Sequence, residues 1–314
     1  MNAGPSVSLV VPLQDEERTV CALLRSVAQQ SHLPDEIILV DAGSRDRTIE
    51  KAGTVDLLRP LRIVRTSRVF PGVARNEGVS AAGFEWIALT DGGIVLHPDW
   101  LRELLAALQP STDAVFGSFE PVCDTFLREC AALAYVPPKD RFGIRGPFIA
   151  SSLIRRSKFL GVGGFPPYRA AEDLIFAERL RAAGAVVAYA PKAQVRWEIA
   201  GNLGATFDRF ATYSHHNLAA GWGRYWHVGV ARLYGLLGLG VLVVLLAGAG
   251  FLAWPALPLF FVARATKAAW VKRHSFAFST LVPGRILGAA GLLAVIDVAT
   301  VVGVGRWLRA KERP

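Results

Sequence analysis

The stretch "VSLVVPLQDEERTVCALLRSVAQQSHLPDEIILVD", residues 7–41, is an apolar run, a polar turn, a periodic segment and a second apolar run. "VSLVVPL" and "EIILVD" are short and rich in β-branched residues, as strands are. Between them Val20, Leu23, Leu24, Val27 and Ala28 recur at helical spacing and share one face. Strand, amphipathic helix and strand make a βαβ unit, which places its two strands parallel in one sheet through a right-handed crossover. "LRIVRT" (61–66) and "WIALTD" (86–91) continue the pattern. The segment therefore predicts an α/β fold: a Rossmann-like, mostly parallel sheet with flanking helices.

Ligands of such sheets bind outside the carboxyl ends of the strands. Acids cluster there: Asp15 and Glu16 after the first strand, Asp41 ending the second and Asp91 ending the fourth. There is no G-x-x-x-x-G-K-[ST], and "GVGGFP" (161–166) lacks the last glycine of a dinucleotide fingerprint. Bare carboxylates repel phosphate unless a cation intervenes, but they accept hydrogen bonds from hydroxyls and base N–H groups. Taken singly, each acid also reads as an ordinary cap of the helix that follows it. Gly92 and Gly93, directly after Asp91, permit either a plain turn or a close approach of ligand to backbone. "HPDW" (97–100) reads as a turn opening a helix, with Asp99 in its first turn.

These segments resemble the family-2 glycosyltransferases. "VVPLQDEE" (10–17) is similar to their Pro-x-x-Asn-Glu opening, with Asp15 at the asparagine. "VDAGSRDRT" (40–48) resembles their Asp-x-Gly-Ser-x-Asp-x-Thr, and "ARNEG" (74–78) their Ala-Arg-Asn-x-Gly. "GGF" (163–165) and "EDLIFAERLRAAG" (172–184) resemble their acceptor-side Gly-Gly-Phe and Glu-Asp helix. The resemblance covers about two-thirds of the chain. It implies a nucleotide-diphospho-sugar-dependent A-type fold and inversion at the anomeric carbon. By position, Pro12, Glu16 and Asp41 are implied to line the base and ribose, and Asp91 to hold the ribose or a metal-linked diphosphate. Asp173 is implied as general base, with Glu172 orienting it or meeting acceptor hydroxyls. Gly164 and Phe165 are expected on the acceptor side. "QVRW" (194–197) is one residue short of the Gln-x-x-Arg-Trp of processive synthases, so processivity is not carried over, and Arg196 and Trp197 are expected to flank the acceptor.

The chemistry makes definite demands. A carboxylate that takes the acceptor proton contributes about 10²–10⁴-fold in rate. Glu172 and Asp173 also suit a helix N-terminus for macrodipole reasons alone. The departing diphosphate needs a cation. In the family an Asp-x-Asp commonly holds a divalent metal; here Gly93 replaces the second acid. Asp91 alone leaves a weak site, although Mg²⁺ or Mn²⁺ tolerates few carboxylates when phosphates and waters complete its shell. The alternative is an Arg or Lys, from Arg75, Lys139, Arg141, Arg145 and Arg155.

The chain of 314 residues is 52% hydrophobic, with mean hydropathy +0.33. Residues 1–200 hold 23 Lys+Arg against 23 Asp+Glu, and residues 201–314 hold 12 against 3. That basic excess flanks apolar runs without a nucleic-acid motif, which favours anionic lipid as partner over nucleic acid. Residues 233–263 carry no charged side chain and 286–305 only Asp297, and both runs are long enough for membrane segments. A hairpin broken at "WPALP" (254–258) keeps the following cations on the cytoplasmic side. Asp297 implies a shallow placement or a polar contact with a neighbouring helix. Residues 209–235 mix Arg, His, Trp and Tyr as interfacial helices do. The expected layout is a nucleotide-sugar-dependent domain (1–204), an interfacial amphipathic linker (205–232) and an α-helical membrane-associated region (233–314). Cys21, Cys123 and Cys130 have no metal-ligand spacing. The N-terminus lacks the charged and apolar regions of a signal peptide, so the first domain is expected in the cytoplasm, at the inner membrane. The expected function is inverting transfer to a lipid-linked or envelope glycan acceptor; a catalytically silent nucleotide-sugar-binding or assembly subunit is the alternative that Gly93 raises.

Overall fold

The computed structural model describes residues 4–250 and 253–311. They form two compact units, one of residues up to Val122 with Lys139–Glu198, the other of Cys123–Pro138 with residues from Ile199 onward.

The first unit is built on strands β1 (Val7–Leu13), β2 (Glu36–Asp41), β3 (Leu61–Arg65), β4 (Trp86–Leu89), β5 (Ile94–Leu96), β6 (Ala114–Pro121), β7 (Ser152–Arg155) and β8 (Val187–Trp197). Their order in one sheet is β3-β2-β1-β4-β7-β6-β8-β5. The four strands expected from sequence form its parallel half, with Leu9 opposite both Ile37 and Ala88. β1 is buried throughout and β2 at five of six positions, as continuous apolar runs require, while β3 at the edge is half exposed.

Helices α1 (Val20–Ala28), α2 (Thr48–Ala52) and α3 (Pro71–Ala81) make the crossovers. α1 buries Val20, Leu23, Leu24 and Val27, and Ala28 stays half-buried. α3 lies close to the sheet at Gly78, where a Cβ would collide with Val10 and stand 2.9 Å from Val40 Cγ2. The other half of the sheet is mixed: β7 is antiparallel to β4 and β6, and β5 to β8. Helix α4 (Trp100–Ala106) follows the turn at His97–Asp99, and its fully buried Trp100 donates from Nε1 to Ser151 Oγ (2.8 Å).

The second unit contains α5 (Phe126–Tyr135), α8 (Leu203–Ala219), α9 (Gly223–Leu246), α10 (Ala256–Val271) and α11 (Pro283–Lys311); α6 (Arg156–Gly161) and α7 (Glu172–Ala182) belong to the first. The stretch read as one interfacial segment is divided, because Gly221 (φ +75°) ends α8 and turns the chain into α9. The charge-free run 233–263 is not one helix either. α9 ends at Leu246, Gly248 (φ +72°) follows, and α10 resumes at Ala256 after Pro255 and runs on past Arg264. Residues 251 and 252 of that run lie outside the described residues. Among the described residues two helices are long and apolar enough to cross a membrane: Trp226–Leu246 (mean hydropathy 2.1) and Pro283–Lys311 (2.2).

Asp297 has the neighbouring-helix contact. It is 4% exposed, accepts Tyr234 Oη–H of α9 (2.9 Å), and takes both terminal nitrogens of Arg264 in α10. A buried acid paired on two sides fixes the register of three helices.

Candidate active site

The loop after β1 is held by the loop after β2. Asp15 (φ +55°) donates its N–H to Ser44 Oγ (3.0 Å) and accepts Arg45 N–H at Oδ1 (2.8 Å). Glu16 N–H donates to Thr48 Oγ1 (2.7 Å), and Glu17 N–H to Asp46 Oδ2 (3.0 Å). The Ser44, Asp46 and Thr48 of "VDAGSRDRT" thus shape the segment that carries Glu16. Asp41, 8% exposed, accepts Ser44 N–H (2.9 Å). Pro12 is buried inside β1. Burial raises the Glu16 carboxyl above its ordinary range; the Thr19 hydroxyl opposes this and the charge of Asp91 adds to it.

The turn after β4 rests on Glu16. A Cβ at Gly92 would stand 2.8 Å from both Glu16 Cγ and Leu13 Cδ2, whereas one at Gly93 would meet only Glu16 Oε2, at 3.9 Å. Gly92 is therefore a packing requirement and Gly93 faces open space. Gly92→Ala is expected to cost about 1–3 kcal/mol by overpacking. Gly93→Ala is expected to stay within about 0.5 kcal/mol of the parent, because its Cβ meets one atom at an ordinary contact distance. Urea denaturation of both variants checks the contrast.

Arg75 of α3 is the centre of the acid cluster. It is 5% exposed; Nη2 donates to Asp91 Oδ1 (2.6 Å), Nη1 lies 3.9 Å from Glu172 Oε1, and the guanidinium stands over the Phe165 ring at 5.3 Å. Burial works against its charge, but Asp91, Glu172 and Asp173 outweigh that and raise its pKa. Its Nε and Nη1 have no hydrogen-bond acceptor. Unpaired buried donors cost about 1–3 kcal/mol each, so the guanidinium keeps hydrogen-bonding capacity that Asp91 does not use.

The neighbouring Asn76 has a role that its sequence position alone does not reveal. Its Nδ2 donates to Phe165 O (2.8 Å) and its Oδ1 accepts Phe165 N–H (2.9 Å), a two-point clamp between α3 and the Gly-Gly-Phe turn. Gly164 (φ +60°) admits the clamp, since a Cβ there would stand 2.6 Å from Asn76 Oδ1. Gly72 makes the matching space on α3, where a Cβ would stand 2.9 Å from Phe165 Cβ and 3.2 Å from Glu172 Cγ. The signal was present in "ARNEG", but its partner lies 89 residues away.

Glu172 and Asp173 open α7 after Ala171, which has φ +67°. Glu172 is buried; burial, then the charge of Asp173, pushes its pKa up to about 7 against the pull of Arg75. Asp173 is exposed at its surface and accepts Leu174 N–H (2.8 Å). The protein around it, and the charge of Asp91, raise its carboxyl, while Leu174 N–H and Arg75 oppose the rise. Glu172 binds its proton more tightly folded than unfolded. It therefore adds stability below about pH 4.5 that is lost as pH rises through about 7, by about 3 kcal/mol at ~1.4 kcal/mol per unit. Glu172→Gln is expected to flatten that part of the stability profile, measured by denaturation from pH 4 to 8.

Other expected residues are placed differently. Phe165 is not an open acceptor-side surface: it is 3% exposed, packed on Phe176 (4.3 Å) and Phe159 (5.5 Å), so it buttresses Arg75. Arg196 and Trp197 pair with Val95 and Ile94, just past Gly93, and the Trp197 ring meets Phe119 edge-on at 5.4 Å. Arg155 sits opposite Trp86, at the start of β4 and away from its carboxyl end, where it contacts Asp113 (3.8 Å). Lys139 and Arg145 both pair with Glu120, and Arg141 stands over Phe142. Of the five cation candidates, Arg75 is the one in contact with the acid cluster. Among the described residues no three His, Cys, Asp or Glu side chains gather as a metal site. Asp91 is engaged by Arg75, so the side chains present do not by themselves build a divalent-cation site.

Comparison with known proteins gives the family and the fold. The model of glycosyl transferase family 2 matches residues 8–165, half of the chain. The O-antigen chain rhamnosyltransferase RfbN of Salmonella typhimurium is 28% identical, over 60% of this chain and 65% of that protein. The succinoglycan biosynthesis protein ExoO of Rhizobium meliloti is 31% identical, over 32% of this chain and 29% of that one. The chain thus spans less than two-thirds of the length of these relatives. A mannosyltransferase from Pyrobaculum calidifontis, solved with GDP-Man and Mn²⁺, shares the fold with a TM-score of 0.57 at 18% identity, over 99% of this chain and 89% of that one. TarS of S. aureus, solved with UDP, has a TM-score of 0.52 at 17% identity, over 94% of this chain and 90% of that chain.

Proposed function

Because the chain belongs to glycosyl transferase family 2, we propose that it is an inverting enzyme that moves a sugar from a nucleotide-diphospho-sugar to a lipid-linked or envelope glycan acceptor at the cytoplasmic membrane face. The observation that carries the reading is Arg75, a buried cation between Asp91 and Glu172 with two N–H groups unpaired.

The acceptor hydroxyl attacks C1 of the sugar, the C1–O bond to the diphosphate breaks from the opposite face, and the acceptor proton passes to a carboxylate. Asp173 reaches solvent beside the cluster and takes that proton; Glu172, buried against Arg75, holds the guanidinium in place. Pro12, Glu16 and Asp41 border the pocket for base and ribose. Asp91 and Arg75 meet the ribose and diphosphate, where a preorganised cation is worth most. The open space at Gly93 lets the sugar donor approach the backbone. Asp91 would be the one carboxylate ligand of a divalent cation brought in with the donor, and that charge would neutralise the leaving diphosphate. Trp197 and Arg196 border the acceptor. The basic, apolar second unit supports membrane attachment.

The test is a panel of nucleotide-sugars with membrane extract and purified protein, with and without Mn²⁺ or chelator, read by mass spectrometry of the lipid and glycan fractions. Transfer from one of them is the expected result. Binding of a nucleotide-sugar without turnover under any of these conditions would identify a silent binding subunit instead.

A further inference from the structure

We infer that α11 lies in the plane of an anionic membrane surface instead of crossing it, so that Gly4 and Ala310 stay on one side of it; this rests on the membrane attachment proposed above. Length does not decide the matter, since 29 residues at ~1.5 Å each exceed an ~30 Å hydrocarbon core. What decides it is what covers the helix.

One side of α11 is packed by α5 and α8 along most of its length. Near its start Arg285 donates to both carboxylate oxygens of Glu129 (2.7 and 3.1 Å), and Gly288 abuts Cys130. Near its end Gly303 abuts Ser214, whose hydroxyl donates to Thr300 O (2.8 Å). Arg285 to Gly303 is about 27 Å of helix, close to the thickness of the core. A crossing α11 would carry α5 and α8 into hydrocarbon, and with them Arg128, Glu129, Asp208 and Arg209. Charged side chains inside hydrocarbon are disfavoured, most strongly near mid-depth, and the outer face of one helix does not offset several of them.

The opposite side carries Leu287, Val298, Val301 and Leu308, each 49–68% exposed. Their spacings of 11, 3 and 7 residues keep them on one helical face. Lys311 stands 4.8 Å over the Trp307 ring and Arg273 4.7 Å over Trp270, the cation and aromatic pairing that suits a headgroup layer. The excess of 12 Lys+Arg over 3 Asp+Glu in this part of the chain selects anionic lipid. Tyr234 of α9 packs on Phe260 near the start of α10 at 5.5 Å, so the chain is back at the level of Tyr234 before it reaches Arg264.

The test uses the full chain bound to preformed phosphatidylglycerol–phosphatidylethanolamine vesicles. Gly4→Cys and Ala310→Cys are combined in a variant without the three native cysteines, reacted with a membrane-impermeant maleimide and weighed. Two labels per molecule are expected; one label per molecule overturns the in-plane placement. Val301→Glu on the native-cysteine chain is expected to weaken vesicle binding at least tenfold without changing the circular dichroism spectrum, and unchanged binding also overturns the inference. Failure of the parent chain to bind vesicles removes membrane attachment itself, an outcome distinct from binding with one label.

Discussion

Asp173→Asn is expected to lower sugar transfer by about 10²–10⁴-fold, the contribution of a positioned general base, while binding of the sugar donor stays measurable. The substitution keeps the shape of the side chain, and the amide oxygen still accepts Leu174 N–H, the contact that seats Asp173 at the start of α7. What disappears is an acceptor for the proton of the attacking hydroxyl. Calorimetric titration with the nucleotide-sugar, paired with turnover, separates the two effects. Turnover at the parent rate would remove Asp173 from the reaction, and Glu172, with its pKa near 7, would become the remaining carboxylate base of the pair.

Arg75→Met is the second large effect, and it reaches both stability and chemistry. Methionine fills much of the volume beside Phe165 but leaves Asp91 and the buried Glu172 without their cation. Removing one partner of a fully buried ion pair costs about 3–5 kcal/mol; Asp91 is about one-third exposed and Glu172 can take up a proton, so a smaller loss is expected, seen as a lowered denaturation midpoint. Loss of a preorganised positive group facing a leaving diphosphate is expected to lower turnover a further 10²–10³-fold. Arg75→Lys is expected to recover little, because one ammonium does not span Asp91 and Glu172 as the planar guanidinium does. Near-parent activity in Arg75→Met would show that another group carries the diphosphate.

The parallel half of the sheet was legible because its signals are local. β1 and β2 are buried runs of branched residues, and α1 shows its inward face within nine residues. The acids at the strand ends were legible for the same reason: a residue that ends a parallel strand faces the ligand side whatever the rest of the chain does. The motifs named Arg75 and Glu172 separately. Nothing in their spacing showed that one guanidinium would reach both Glu172 and Asp91, or that Phe165 would serve as a buried support.

The second unit illustrates the same limit. Hydropathy found the apolar runs, yet the helix boundaries follow Gly221, Gly248 and Pro255, and they cut across those runs. The partners of Asp297 come from two other helices. The segment 123–138, inserted between β6 and β7, joins the second unit and not the one that flanks it in sequence. Its membership depends on packing with α11, more than 150 residues later, as in the Glu129–Arg285 pair.

By itself, then, the amino-acid sequence determined the βαβ pattern, the acid-lined end of the sheet, the family and the apolar, basic last third. These rest on periodicity and on residue type at short range. Tertiary structure alone decided that Arg75 ties Asp91 to Glu172, that Asn76 clamps Phe165, that Gly92 is required while Gly93 is open, and that one face of α11 is covered. Each of these depends on distances between residues far apart in the chain, and such distances are set by packing and burial.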